Sequence, residues 1–359
     1  MDRCEVIGAM KLSTRVTLLL AGVSVLPFSA QAQTYDPYQI LNGFNAVVSG
    51  NFSVHTDANG GVIAGNLTSV EAAAQEIYTV TTPSAPANVT LTDYSTTPNG
   101  SQSYAATTIG TIQPGVTSVL TNNGNIAYVS KPGGTTVTAN GGTVTTIGSL
   151  NLTPFTTALN GLQTSLGALT TNATTTYSGG VFTFNLTGGS TATNVFSISG
   201  TDFTNLEAAT GISFSGSTGQ VVINVVGGDF TTNDNLNFNI SDLTGSGLTE
   251  ADVVWNFEQP SNSAINFNNK GYWEGAVLAG NATITAGSNV DIQGSVYAQN
   301  LYIGQELHSG GGSYLYHPPK PPTTPPTPPT PPNVPEPATM ALLASGLGGL
   351  AALRRRKKG

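Results

Sequence analysis

A chain of 359 residues with 8% charged side chains and 43 glycines has room for one large domain or two ordinary ones. Abundant small polar residues with recurring Val and Ile fit a Gly-rich, mainly β protein better than a helical or disordered one. Between residues 33 and 317, 16 carboxylates face only Lys131 and Lys270, and this net of −14 repels phosphate backbones and excludes nucleic-acid binding.

Residues 10–32 read as a signal peptide. Lys11 and Arg15 supply the charged start, residues 16–28 the apolar stretch, and Ala30-Gln31-Ala32 a small-x-small cleavage site for signal peptidase, leaving Gln33 first. The alternative is an uncleaved anchor helix, for which the apolar run is short against the ~20 residues needed to span. Translation starts at Met1 or Met10. The single cysteine, Cys4, precedes the cut, so the body at 33–317 has no disulfide, thiol nucleophile or Cys-based zinc site.

A short phrase recurs in the body. Residues 60–66 (GGVIAGN) return as 275–281 (GAVLAGN) and 294–300 (GSVYAQN), with looser copies at 45–51 and 223–229. The 15- and 19-residue spacings of 45 to 60 and 275 to 294 suit one turn of a narrow β-solenoid. Val and the small residue two positions on share a strand face, which would stack on the next coil. The closing Asn or Asp suits a left-handed corner. Coincidence in a low-complexity Gly/Asn/Val sequence is the competing explanation.

One amphipathic helix is expected, with Leu152, Phe155, Leu159, Leu162, Leu166 and Leu169 on one stripe. Thr153 is the expected N-cap and Pro154 the first helical residue. Gly161 and Gly167 weaken this helix, so it needs docking onto a sheet. Strands are expected at 181–186, 195–198, 212–214 and 221–226. Residues 80–147, Thr-rich with alternating Val and Ile, read as further strands or an irregular excursion.

No catalytic set is evident. His55, His308 and His317 lack metal-ligand spacing, and none lies beside a nucleophile in sequence. Asp229, Asp234 and Asp242, with Asn233 and Asn235, form a weak calcium candidate without the spacing of a known loop. No other metal and no cofactor is expected. A polysaccharide lyase would need cationic groups against uronate carboxylates, and the body holds two Lys and no Arg. Ice binding would need a Thr-x-Thr ladder at the coil period, which is not evident.

The tail has three parts. Residues 318–332 (PPKPPTTPPTPPTPP) should form a polyproline helix spanning on the order of 45 Å. Val334-Pro335-Glu336-Pro337 follows, then an apolar run at 338–353. It ends in Arg354, Arg355, Arg356, Lys357 and Lys358, a cytoplasmic stop that puts the body outside. This order resembles the PEP-CTERM sorting signal of Gram-negative bacteria, carried by Pro335, Glu336, Pro337, the small-residue helix and Arg354 to Arg356. The resemblance implies that a membrane exosortase cuts near the motif after transient inner-membrane insertion. A plain, uncut single-pass anchor is the alternative.

The body also resembles the choice-of-anchor A family. Residues 44–66 (FNAVVSGNFSVHTDANGGVIAGN) look like its opening, and the helix, 194–198 (NVFSI), 220–228 (QVVINVVGG) and 253–257 (VVWNF) continue it. So do 271–284 (GYWEGAVLAGNATI), 294–298 (GSVYA) and the close at Tyr316-His317. Gly61 stands where that family usually has a basic residue. The resemblance implies a β-helical, adhesive surface domain without an established ligand.

The expected organisation is a signal peptide at 1–32, a β-rich extracellular domain at 33–317, a Pro-rich linker at 318–333 and a sorting signal at 334–359. The fold class is mainly β, a β-helix or solenoid with one packed helix and terminal helical signals. The expected function is an exported, exosortase-processed surface or matrix protein with a non-enzymatic adhesive or structural role. Its ligand would be extracellular polysaccharide or another cell-surface component. The alternative is a polysaccharide-active enzyme on the same scaffold.

Overall fold

A computed structural model describes residues 35–308, apart from 56, 69–73, 79–106, 123–124, 141, 188–192 and 217–218. Alternating apolar residues in short runs bounded by Gly, Asn and Ser form strands. Among the described residues every strand pairing is parallel except that of Thr174–Ser178 with Val181–Leu186. The strands stack as coils of a solenoid.

The first sheet runs through Thr193–Ile198, Gln220–Val225, Val253–Phe257, Ala276–Ala286, Val296–Ile303, Ala46–Val54, Val62–Leu67, Thr107–Ile112, Ile126–Ser130 and Val144–Thr146. The second runs through Thr174–Ser178, Val181–Leu186, Gly211–Gly216, Asn237–Phe238, Lys270–Glu274, Val290–Gln293, Glu306–His308, Asp57–Asn59, Ala74–Tyr78, Ser118–Asn122 and Thr136–Asn140. Spatial order departs from chain order at one joint. The N-terminal coils sit on the last C-terminal coil, Ala46 pairing with Val296 and Asp57 with Glu306.

Long strands of the first sheet shift register midway, between Val48 and Phe52 and between Ala279 and Thr283. Beyond the shift their second halves form a third face, joined by Phe230–Thr231 and Ser263–Phe267. Close backbone approach dictates Gly at this corner. A β-carbon on Gly65 would lie 2.6 Å from the Ser49 carbonyl oxygen, and backbone cannot yield as a side chain can.

The three close sequence copies occupy one column. Val277 pairs with Val296, Val296 with Ala46, and Ala46 with Val62, all pointing into the core. The two looser copies are out of step. Ala46, not Val47, is the partner of Val62, because the extra residue of that coil is absorbed by the register shift. In the other, Ile223 pairs with Trp255 and Trp255 with Val277, two residues away from the Val225 alignment. The corner Asn residues also differ from expectation. Among the described non-glycine residues only Asn262 has a positive φ, while Asn51 and Asn66 pair within strands.

The core changes character along the stack. Toward the antiparallel end it is aromatic, with Trp255 and Trp273 centroids 4.6 Å apart and Phe267 stacked on Trp273 at 4.3 Å. At the N-terminal coils Val, Ala, Leu and Ile fill the same columns.

Among the described residues four α-helices accompany the strands: α1 (Pro37–Gly43), α2 (Thr153–Gly167), α3 (Thr201–Ala208) and α4 (Ile240–Thr244), with a short 3-10 turn at Glu250–Asp252. The single expected helix is α2, lying outside the first sheet. Its Phe155, Leu159, Leu162 and Leu166 are buried against Val47, Ile63, Val222, Val254 and Leu278, which point away from the core. Full burial of such side chains contributes about 1.5–3 kcal/mol each. Leu152 rather than Thr153 caps α2, and Asn151 Oδ1 accepts the Thr153 N–H at 3.0 Å. Ile40 and Leu41 of α1, with its C-cap residue Phe44, cover the N-terminal coils, and Phe44 lies edge-on to Phe155 at 5.9 Å.

Within 80–147, Thr107–Ile112, Ser118–Asn122, Ile126–Ser130, Thr136–Asn140 and Val144–Thr146 continue the coils, so strands replace the irregular excursion there. Among the described residues no helix is long and apolar enough to cross a membrane.

Candidate functional site

Strand alternation sends every second residue outward, and in-register parallel stacking turns those residues into rows about 4.8 Å apart. On the third face, Phe52, Val54, Leu67, Ile112, Ile284, Leu301 and Ile303 enter the core. Their neighbours alternate to the other side of the strands, coil by coil: Thr283 and Thr285, Asn300 and Tyr302, Asn51 and Ser53, Asn66 and Thr68, Thr111 and Gln113, all part-exposed except Ser53, which is buried. None of these side chains is a carboxylate or an ammonium.

Side-chain hydrogen bonds link the rows. Asn300 Nδ2 donates to Thr283 Oγ1 at 3.0 Å, and Asn51 N–H donates to Asn300 Oδ1 at 2.9 Å. Asn66 Nδ2 donates to Asn51 Oδ1 at 3.0 Å, and Gln113 Nε2 to Asn66 Oδ1 at 3.0 Å. Asn300, Asn51 and Asn66 each donate to one coil and accept from the next, which holds the ladder rigid. Asn51 Nδ2 also reaches Tyr302 OH at 3.4 Å. Where this face turns toward the second sheet, a cavity of about 230 Å³ is lined by Ser53, Thr285, Ser288, Tyr302 and His55, among others.

The second sheet carries charge. Asp291, Glu306 and Asp57 occupy one outward row of adjacent coils, with Glu76 next in register. His308 Nε2 lies 2.9 Å from Glu306 Oε2 and 3.8 Å from Asp291 Oδ2. Hydrogen bonding to Asp291, with the charges of Asp291, Glu306 and Asp57, raises His308 above the ordinary imidazole range despite the opposing effect of burial.

A third polar set lies beneath α2. Gln163 Nε2 donates to Leu278 O at 3.0 Å, its Oε1 accepts Gly280 N–H at 3.1 Å, and Asn256 Nδ2 donates to Asn224 Oδ1 at 2.8 Å. Tyr297 OH donates to Asn160 Oδ1 at 2.9 Å. These bonds satisfy polar groups on a face otherwise sealed by apolar packing and serve docking.

The structure gives the acidic candidates separate tasks. Asp229 Oδ1 accepts Ala264 N–H at 2.8 Å, and Asp242 accepts Asn239 N–H at 2.9 Å in a capping box at α4. Burial raises the Asp242 carboxyl, partly offset by that bond. Among the described residues no three His, Cys, Asp or Glu side chains are placed to hold a metal ion, and Asp229, Asp234 and Asp242 are not brought together. His55 is exposed at the cavity rim. His317, the cleavage residues Ala30, Ala32 and Gln33, the motif Val334 to Pro337 and the basic cluster Arg354 to Lys358 lie outside the described residues.

Sequence reasoning missed the amide ladder, Tyr302 and the His308 cluster. A signal for the ladder was present: a polar-x-polar triplet closes or follows the repeated phrase, as in Asn66-Leu67-Thr68, Asn300-Leu301-Tyr302 and Thr283-Ile284-Thr285.

A family model described as "Putative Ice-binding-like adhesive domain" matches residues 37–309, and a PEP-CTERM protein-sorting motif matches residues 333–357. The choice-of-anchor A name is not the one matched, and the two descriptions are compatible. Among solved structures, an ice binding protein from an Antarctic Biological Consortium matches at 12% identity, over 82% of this chain and 100% of that chain, with a TM-score of 0.31. An ice binding protein from an Antarctic bacterium, Flavobacteriaceae, matches at 13% identity, over 76% of this chain and 84% of that chain, with a TM-score of 0.26. At these TM-scores the two likenesses carry no argument. No curated protein matches the chain.

Proposed function

The chain belongs to the ice-binding-like adhesive domain family, and from that membership we propose a non-enzymatic adhesive protein delivered to the cell surface or extracellular matrix. The PEP-CTERM motif implies export and exosortase processing. The observation that carries the adhesive reading is the third face: uncharged amide and hydroxyl rows, locked to one another, on a rigid parallel solenoid. Such a surface suits extended contact, and its groups bond one another instead of activating a nucleophile or a water.

The ends complete the proposal. Signal peptidase removes residues 1–32 after Ala32. The run 338–353 halts in the inner membrane, stopped by Arg354 to Lys358, until an exosortase cuts near Val334 to Pro337. The linker at 318–333 then acts as a stalk or as exposed substrate for the cut. Ice adsorption is less well supported, because among the described rows Thr283 and Thr285 form the single Thr-x-Thr pair, while Thr68 and Thr111 are each paired with an amide and the other coils carry Asn, Ser and Tyr.

The test is fractionation of the producing cell with mass spectrometry of the C-terminus. The native chain should reach the surface or medium without its basic cluster, and Glu336→Ala should hold it in the inner membrane with that cluster intact. Recovery of the uncut native chain at the surface would refute processing. Failure of the native chain to associate with surface or matrix would refute adhesion.

A further inference from the structure

We propose that the cavity beside Tyr302 is a binding subsite for one sugar residue of an uncharged polysaccharide, whose chain continues along the amide and hydroxyl rows. This names the ligand class of the adhesive surface and rests on that reading.

Stacked turns create the cavity. Gly304 lies so close to the turn below that a β-carbon on it would stand 2.8 Å from Ser288 N and 2.9 Å from Ala286 O. Gly304 lets the two turns pack closely, and beside that contact the strand ends leave a hollow of about 230 Å³. That is below the ~300 Å³ at which drug-sized pockets begin, and suits one ring of a longer chain better than a cofactor. Its chemistry is mixed in the way a sugar ring is mixed. The Tyr302 ring offers an apolar face to ring C–H groups, while hydroxyls of Ser53, Thr285 and Ser288 and the imidazole of His55 offer donors and acceptors.

Charge selects among polysaccharides. The lining contains no carboxylate, lysine or arginine, so no permanent charge compensates the desolvation of a charged sugar. Residues 33–317 carry a net of −14, which repels uronates and sulfated sugars at longer range. The approach is also uncharged: Thr285 and Tyr302 lie in register on neighbouring coils, and Asn266 pairs with Thr285 on the next. An extended chain crossing the coils would meet an amide or hydroxyl at every ~4.8 Å step.

The test titrates the purified full-length chain with cellohexaose, mannohexaose and N-acetylchitohexaose, using polygalacturonate as the charged comparator, by calorimetry. At least one neutral hexasaccharide should bind, with polygalacturonate at least tenfold weaker. Tyr302→Ala should weaken binding about tenfold or more through loss of stacking, while Tyr302→Phe stays within about threefold. Ser288→Phe, at an exposed turn position, should block the cavity and abolish binding without lowering the melting temperature. No binding to any neutral hexasaccharide, tighter binding of polygalacturonate, or binding unchanged in both Tyr302→Ala and Ser288→Phe would overturn the proposal. Surface association in the fractionation experiment is scored separately. If it persists while hexasaccharide binding fails, the subsite is wrong and adhesion stands; if both fail, adhesion itself is wrong.

Discussion

Ala46 and Val296 are in-register partners on adjacent parallel strands, and both are fully buried. This pair joins the first coil of the chain to the last. The joint is broad: Ser295 Oγ donates to Leu41 O at 2.7 Å, and Val48 pairs with Ala298 and Phe52 with Leu301. The two ends of the body are therefore one folding unit, held by the same ladder that holds successive coils.

A cut between the halves should leave them together. Gly148 and Ser149 are exposed in the connection before α2, so a protease site inserted there should be cleaved without unfolding the solenoid. The fragments should co-elute in size exclusion under native conditions and separate only in denaturant. Separation in native buffer would show that the joint is not a structural seam.

Docking of α2 should be a large stability term. Leu159 is fully buried, and Leu159→Ala should cost about 2–5 kcal/mol in urea unfolding. Gln163→Ala should cost about 1–3 kcal/mol, because it strips partners from Leu278 O and Gly280 N–H. A change below 0.5 kcal/mol in both, roughly the level of surface substitutions, would mean that α2 is not docked as described.

His308 should make stability fall with rising pH. Its folded pKa is raised above the ordinary 6.5 by Asp291, Glu306 and Asp57. The folded state thus holds the proton more tightly than the unfolded one, and the stabilisation is fully present below about 6.5. It is lost as pH climbs through the raised folded value. His308→Gln should flatten the melting-temperature profile across that window. A profile identical to that of the native chain would remove His308 as the cause.

Glu250 is a second pH-dependent element. It is 5% exposed, and its Oε2 has no hydrogen-bond partner. Burial raises its carboxyl, with Asp252 adding to the effect and a backbone hydrogen bond opposing it. A carboxylic acid shifted upward stabilises the fold fully only below its unfolded pKa, and that contribution declines as pH rises through the folded value. Glu250→Gln should raise stability at pH 7 by about 1 kcal/mol, by removing the cost of an unmet buried charge. A lower melting temperature at pH 7 would indicate that the carboxylate holds a partner.

Much of the coil pattern was legible. Val62, Val277 and Val296, with Ala64, Ala279 and Ala298, follow from a two-residue period, because side chains alternate across a strand whatever lies above or below. The α2 stripe was legible too, since Phe155, Leu159, Leu162 and Leu166 repeat at helical spacing. The looser copies misled because a register shift inserts a residue without marking it, so Ala46 to Val48 aligned one position away from their structural partners, while Asn51 does pair with Asn66. The corner Asn residues misled in another way. Asn tolerates a left-handed backbone, but here the amides gain more by bonding the coil above and below.

Sequence alone determined the local matters: the composition, the β alternation, the amphipathic stripe, the lack of cysteine in the body and the three-part tail, each written in residues close together along the chain. Tertiary structure decided which coil lies on which. Only it set Ala46 on Val296, lined Asn66, Asn51 and Asn300 into one ladder, and brought His55, from the first coil, to the same hollow as Tyr302 from the last coil and Ser288 from the one before it. The physical reason is that parallel stacking is cooperative and long-range. Each strand's pairing groups fit many partners equally well, and the choice among them is made by the summed burial of the core and by where α1 and α2 can cover the outer face.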